Sequence, residues 1–197
     1  MFAKHLHLYD ILTLVKDMKD VKIERKEFYN IVSDILENEH FQELKNEKHH
    51  GTSRYNHSVR VAIKTYMTAR SRGWSYVEIT RAALLHDFYT NEDLRNCEPT
   101  KALSRHPKVA ARNAKKYFNV SKRVQDMIRT HMYPVTSEMP KTKEALLISL
   151  IDKQVGTIEM LKYKLIRRPD VPREVVDIHG NQKHVLYSII QNDLQME

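Results

Sequence analysis

Apolar residues recur at intervals of three and four along almost the whole chain, and this spacing restricts the fold more than any other feature. Phe28, Val32 and Leu36 belong to one such stripe, and Val59 and Tyr66 belong to another. Such spacing places side chains on one face of an α-helix. Only 4 of the 197 residues are glycine and 6 are proline, too few for a fold made of many short strands. The sequence therefore predicts an all-α fold of one domain.

Capping and stop residues divide this pattern into seven predicted helices. Ser75 and Glu78 predict a capping box, and Pro107 is expected at the first position of its helix. Ser121 is expected to cap the helix that follows. Residues 45–53 and 88–105 are expected to be loops. The pattern of residues 174–197 fits either a pair of short strands or a helix, and both alternatives stay open. The predicted helices cover residues 8–19, 28–36, 54–72, 76–86, 106–118, 122–132 and 141–165.

The charge balance favours anionic partners without identifying one. The chain carries 33 Lys and Arg against 25 Asp and Glu, a formal net charge of +8. Such an excess attracts nucleic acid, acidic lipid or phosphorylated small molecules. The basic residues are spread along the chain, with short clusters at 115–116 and 167–168 and no block of five or six. A solvated basic surface is therefore the simpler interpretation.

Other features limit the class of protein. Cys97 is the only cysteine, so no intrachain disulfide can form. The longest apolar run, 145–151, is too short to span a membrane. The N-terminal residues lack the apolar segment of a signal peptide. We expect a soluble, cytoplasmic protein without a membrane partner.

Four side chains of types that can bind a metal fall on apolar helix faces. His86 and Asp87 follow a run of alanine and leucine, Asp152 lies between Ile148 and Val155 on its face, and His131 follows a third apolar stripe. Each histidine alone could be a hydrogen-bonded core residue, and each aspartate could pair with a cation or cap a helix. Together they point to a site for Zn, Mn, Fe or Co, because ionised carboxylates are costly to bury without a partner.

Two further histidines are ambiguous. His57 lies nearly opposite the apolar stripe of its helix, so periodicity predicts that it is exposed. His106 precedes a proline, where a residue is often a surface cap. The remaining histidines considered are assigned to the surface: His5, His7, His49, His50, His179 and His184.

Three motifs in order resemble the HD-domain metal-dependent phosphohydrolase superfamily. These are RYNHSVRVA at 54–62, AALLHD at 82–87 and DK at 152–153. The resemblance spans about residues 50–165 and is nearest to small bacterial HD hydrolases. It implies a single helical bundle with an N-terminal helical extension packed on the core at 1–48, an HD core at 49–168 and a tail of uncertain structure at 169–197.

The resemblance also implies a ligand set. His57, His86, Asp87 and Asp152 would hold a metal ion, and the six-ligand, two-metal subset of the family adds two further histidines. In that subset Asp87 bridges the ions, the second ion takes His106 and His131, and a metal-bound hydroxide attacks phosphorus. Asp87 and His86 are accordingly the predicted catalytic residues. Fe or Mn is the first choice of metal, with Zn, Co or Mg as alternatives.

The segment after Asp87 departs from three known branches of the family. It lacks the His-Asp-Ile-Gly-Lys element of the cyclic-dinucleotide branch, and Thr90 stands where deoxynucleotidases have glutamate. Glu92 and Asp93 follow Asp87 at five and six residues, whereas guanosine-tetraphosphate hydrolases have an acidic pair at three and four. These activities are therefore not expected.

The predicted function is metal-dependent hydrolysis of a phosphate ester or anhydride in a nucleotide-like substrate. Arg54, Arg60 and Lys153 flank the ligands and are predicted to hold phosphate oxygens, although each could instead support a ligand or lie on the surface. The expected partner is a phosphorylated small molecule, first of all a nucleotide. Nucleic acid is not expected, and a homodimer stays open. The alternative function is a nucleotide- or nucleic-acid-binding helical module without turnover.

Overall fold

Helices form nearly all the regular structure in the computed structural model, which describes residues 25–49 and 51–166. Lys48–His49 (β1) and Thr52–Ser53 (β2) pair as a short antiparallel hairpin. The all-α prediction is confirmed, while the predicted helix 8–19 and the tail 174–197 lie outside the described residues. The helices are α1 Arg25–Leu36, α2 Glu39–Gln42, α3 Arg54–Ser71, α4 Tyr76–Leu85, α5 Ala102–Phe118, α6 Lys122–Arg129 and α7 Lys143–Ile166.

Helix α3 is the centre of the bundle. It packs against α4 and α7 and also contacts the segment before the hairpin. Between Arg54 and Ala69 every residue except Arg60 and Lys64 is at least nine-tenths buried. A helix with neighbours on several sides has no exposed face opposite its apolar stripe. The prediction that His57 is exposed is therefore wrong, because it assumed that only one face of α3 is covered.

The first described helix is held on this bundle by buried apolar side chains and also by polar contacts. Helix α1 packs on α4, and the Arg81 guanidinium donates two hydrogen bonds of 2.7 Å to the Asp34 carboxylate. Arg81 also donates to the Ile31 carbonyl oxygen at 2.8 Å. The boundaries of the predicted extension, core and tail stay predictions. No described helix has the length and apolar character needed to cross a membrane.

The predicted helix caps were partly right. The Ser121 hydroxyl accepts a hydrogen bond of 3.2 Å from the Val124 N–H and so caps α6. Ser75 makes no side-chain capping bond at the start of α4. The Glu78 carboxylate instead accepts a hydrogen bond of 2.8 Å from the Ser121 hydroxyl. The predicted capping box is therefore wrong, because the Glu78 carboxylate bonds Ser121 at the start of α6.

The start of α5 also differs from the prediction. The helix begins at Ala102, so Pro107 lies inside it rather than at its first position. A 3₁₀ turn at Pro99–Lys101 leads directly into α5 and supplies an earlier start. The predicted loop 88–105 therefore ends earlier and contains this turn and another, Glu92–Leu94. The predicted loop 45–53 likewise contains the short hairpin.

Candidate metal centre

Five helices bring the six predicted metal ligands together. The first turn of α3 carries His57, and His86 and Asp87 directly follow α4. Helices α5 and α7 carry His106 and Asp152, and His131 lies two residues after the end of α6. Every one of these residues is buried except Asp152, whose side chain keeps 13% of its surface exposed.

The first group of ligand atoms lies between α3, α4 and α7. The Asp152 Oδ1 atom is 3.0 Å from His57 Nε2 and 3.5 Å from His86 Nε2. All three ligand atoms lie within 4.8 Å of one another. Two imidazoles and one carboxylate at such separations can bind one divalent ion.

The second group lies around Asp87. Its Oδ1 atom is 3.4 Å from His106 Nε2 and 3.5 Å from His131 Nε2, and the two imidazole nitrogens are 3.1 Å apart. The other carboxylate oxygen, Oδ2, lies 3.7 Å from His86 Nε2. Asp87 therefore turns one oxygen toward each group, as a bridging ligand would.

Contacts with main-chain carbonyls indicate which nitrogen of each imidazole carries the hydrogen. The Nδ1 atoms of His86, His106 and His131 lie 2.8–3.0 Å from carbonyl oxygens three or four residues earlier in the chain. A carbonyl only accepts, so each Nδ1 carries the hydrogen, and a neutral ring then has a lone pair on Nε2. The Nε2 atoms of all three rings lie 3.4–3.7 Å from an oxygen of the Asp87 carboxylate.

When the rings of His106 and His131 are neutral, their Nε2 atoms and the Asp87 carboxylate oxygens are all hydrogen-bond acceptors. Burial lowers the pKa of His131 to about 3 and also lowers the pKa of His106. Burial opposes ionisation of Asp87, but the positive charge that the surrounding imidazoles carry when protonated holds its pKa below the ordinary value. Among the described residues, His86 Nε2 and Asp87 Oδ1 are buried without a hydrogen-bond partner. A cation among these atoms would satisfy all of them, so the residues fit a metal.

A carboxylate that the sequence analysis did not identify supports His57. The His57 ring lies between Glu159 Oε2, 2.7 Å from Nδ1, and Asp152 Oδ1, 3.0 Å from Nε2. Burial opposes the charged ring, but the two carboxylates raise the pKa of His57 to about 10. Glu159 also accepts a hydrogen bond of 2.9 Å from Arg60. Glu159 follows Asp152 by seven residues, or two helical turns, and this spacing is the sequence signal that places both carboxylates on one face of the helix.

A second missed residue is His49 in the hairpin. Its ring centroid is 4.4 Å from that of His57, and its Nε2 atom lies 3.9 Å from Asp87 Oδ2. The assignment of His49 to the surface is therefore wrong, since only 18% of its side chain is exposed. Gly51 brings the hairpin against α7, where a Cβ atom would lie 2.5 Å from the Tyr163 ring. The other histidines assigned to the surface lie outside the described residues.

The three predicted phosphate contacts have protein partners. The Arg54 guanidinium donates to the Tyr89 carbonyl at 2.9 Å and stacks on the Tyr89 ring. Arg60 bonds Glu159 as described above. The Lys153 ammonium donates to the His131 carbonyl at 2.5 Å and to Asp152 Oδ2 at 2.9 Å. Contact between these cations and a phosphate stays a prediction.

Comparison with known proteins gives one result. A family model described as HD domain matches residues 54–154, just over half of the chain. No curated protein and no solved structure matches the chain. The matched range contains all six predicted ligands, whereas His49 and Glu159 lie outside it.

Proposed function

Because this chain belongs to the HD-domain family, we propose that it is a metal-dependent phosphohydrolase acting on a phosphate ester or anhydride of a nucleotide-like substrate. The observation that carries the proposal is the group formed by the Asp87 carboxylate and the Nε2 atoms of His106 and His131. These atoms lie 3.1–3.5 Å apart, and all of them are hydrogen-bond acceptors when both rings are neutral with the hydrogen on Nδ1. Such a group is stable when a cation neutralises it.

Two ions would divide the six ligands. His57, His86 and Asp152 would hold one ion, and His106 and His131 would hold the other, with Asp87 shared between them. Bound divalent ions would acidify a coordinated water molecule and offset negative charge on a phosphate. Nitrogen and oxygen ligands without sulfur suit Fe and Mn, our first choice, and also Zn and Co, whereas Mg prefers oxygen alone.

Three side chains at the centre are partly exposed, and we take them to mark its open side. The side chains of His49, Asp152 and Lys153 keep 18%, 13% and 29% of their surface exposed, while His57, His86 and His131 are buried. A phosphate would approach from this open side. Lys153 is the best placed of the three predicted cations to bind it, because its ammonium bonds Asp152 Oδ2 and the main-chain carbonyl of His131, one residue from the ligand set of each ion.

Glu159 would fix the orientation of His57. A carboxylate on Nδ1 keeps that hydrogen in place and leaves Nε2 as the atom that binds metal. Arg60 holds Glu159 in turn through a hydrogen bond of 2.9 Å. Because His57 carries a proton on both nitrogens when its pKa is raised to about 10, metal binding would release the Nε2 proton.

The test combines metal analysis with turnover. Protein produced with added Fe or Mn is analysed by mass spectrometry for bound metal, then assayed on a nucleoside monophosphate, a phosphodiester and a dinucleoside polyphosphate. We expect about two ions per chain and turnover of at least one substrate. The control is His40→Ala, an exposed histidine in α2, which should change neither result. Protein without metal would refute the proposal, and metal without turnover would favour a binding module.

A further inference from the structure

The positive charge of the chain is concentrated in one segment. Residues 101–129 contain nine Lys and Arg and one acidic residue, Asp126, a net charge of +8. This equals the net charge of the entire chain, so the remaining residues contain as many Lys and Arg as Asp and Glu. The segment contains α5 and α6, which pack against each other.

Helix α5 presents this charge as a single stripe. From residue 105 to residue 116 every exposed side chain is Lys or Arg, and the residues between them are buried. Spacings of three, four, three and one place these cations on one helical face. The basic stripe, as we call it, consists of Arg105, Lys108, Arg112, Lys115 and Lys116. His106 is buried on the same helix, so the stripe is a surface separate from the metal centre.

A groove of about 490 Å³ follows the stripe between α5 and α6. Lys122 and Arg129 of α6 line its far side. Acidic neighbours neutralise part of the charge, since Glu138 lies 2.9 Å from Lys108 and 3.7 Å from Arg129. Among the residues that the structure describes, Asp126 pairs with Lys122 at 3.1 Å. Four members of the stripe are left without a carboxylate within ion-pair distance in the described part of the chain.

We propose that the basic stripe binds the phosphate backbone of a double-stranded nucleic acid. Eleven residues of α-helix separate the ends of the stripe, a distance of about 17 Å at 1.5 Å per residue. A duplex carries about one phosphate per 1.7 Å of its axis when both strands are counted. A length of about 17 Å therefore offers more phosphates than the stripe has cations, so the supply of anions does not limit the five contacts.

The surface of these two helices favours a duplex over other polyanions. Both helices are described in full, and none of their exposed residues is aromatic. Single-strand binding commonly uses aromatic rings that stack on bases, whereas backbone binding needs only cations. Membrane-surface helices carry large apolar residues beside their cations, and here only Leu103, before the stripe, is large, apolar and exposed. This inference revises the sequence-based expectation that nucleic acid is not a partner.

The test measures binding of the full-length protein to a 20-base-pair duplex by fluorescence anisotropy between 0.05 and 0.3 M salt. The variant Arg112→Gln/Lys115→Gln/Lys116→Gln removes three members of the stripe. The control Lys26→Gln/Lys45→Gln/Lys164→Gln removes three exposed charges elsewhere. Five contacts predict a slope of about −4.5 for log affinity against log salt, and two contacts predict about −1.8. At 0.15 M salt we expect the stripe variant to bind at least about tenfold more weakly and the control variant to bind like the wild type.

Several results would overturn this proposal. They are no duplex binding by the wild type, equal weakening by both triple variants, or binding only to phosphatidylserine vesicles. Circular dichroism checks the fold, and if the triple variant is unfolded, Arg112→Gln alone should reduce the slope by about 1. Asp87→Asn should bind the duplex like the wild type, so loss of the metal centre and loss of the stripe are distinguishable.

Discussion

Replacing Gly51 with alanine would place a methyl group in space that Tyr163 occupies. The new Cβ atom would lie 2.5–2.6 Å from Cβ, Cγ and Cδ2 of Tyr163, and Gly51 has a φ of +88°. A left-handed backbone costs an alanine about 1–2 kcal/mol, and inserting atoms into occupied space costs about 1–3 kcal/mol. Because rotation of the Tyr163 side chain leaves its Cβ atom in place, both contributions apply, and we expect a total loss of about 2–5 kcal/mol in the free energy of unfolding. Urea denaturation of the metal-free protein measures it.

A double-mutant cycle separates the two contributions. Tyr163→Gly removes all three atoms that the new methyl group would meet, and the single variant accounts for the helix-breaking effect of glycine. In that background Gly51→Ala should cost only the backbone contribution, about 1–2 kcal/mol. A loss below about 0.5 kcal/mol for Gly51→Ala alone, or an equal loss in both backgrounds, would refute the contact between the hairpin and α7.

Three further predictions concern helix capping, ligand sharing and pH. Ser121→Ala should destabilise the protein by about 1 kcal/mol in urea, whereas Ser75→Ala should change stability by less than about 0.5 kcal/mol, because only Ser121 caps its helix. Asp87→Ala should lose both metal ions in elemental analysis and His131→Ala chiefly one, so wild-type metal content in the former would contradict the shared ligand. For the metal-free protein, the raised pKa of His57 adds stability that is complete below about pH 6.5 and is lost as pH rises toward about 10. Unfolding measured across this range should show that decline, and a rise would contradict it.

The sequence was a good guide to polar residues inside the bundle. His86, Asp87 and His131 follow apolar runs, and a helical pattern with one buried face is enough to turn them inward. The same pattern failed for His57 because α3 has neighbours on several sides. His57 was assigned to the site only through the resemblance of its motif to a known family.

The hydrophobic periodicity of the sequence does not predict contacts between segments that are far apart in the chain. Glu159 contacts His57 although the two residues are 102 positions apart in the sequence. His49 lies at the centre because it belongs to a two-residue strand, in a segment whose polar sequence predicts a loop. The basic stripe was hidden for a related reason. Its members are separated by up to three buried residues, so no run of like charge occurs in the sequence, although the helix aligns them.

Anomalous diffraction from crystals grown with Mn or Fe tests the metal centre most directly. Data collected on both sides of the absorption edge identify the element and its position. We expect one peak among the side chains of His57, His86 and Asp152 and a second near His106 and His131. A map from metal-supplemented crystals without a peak at either position would contradict the account.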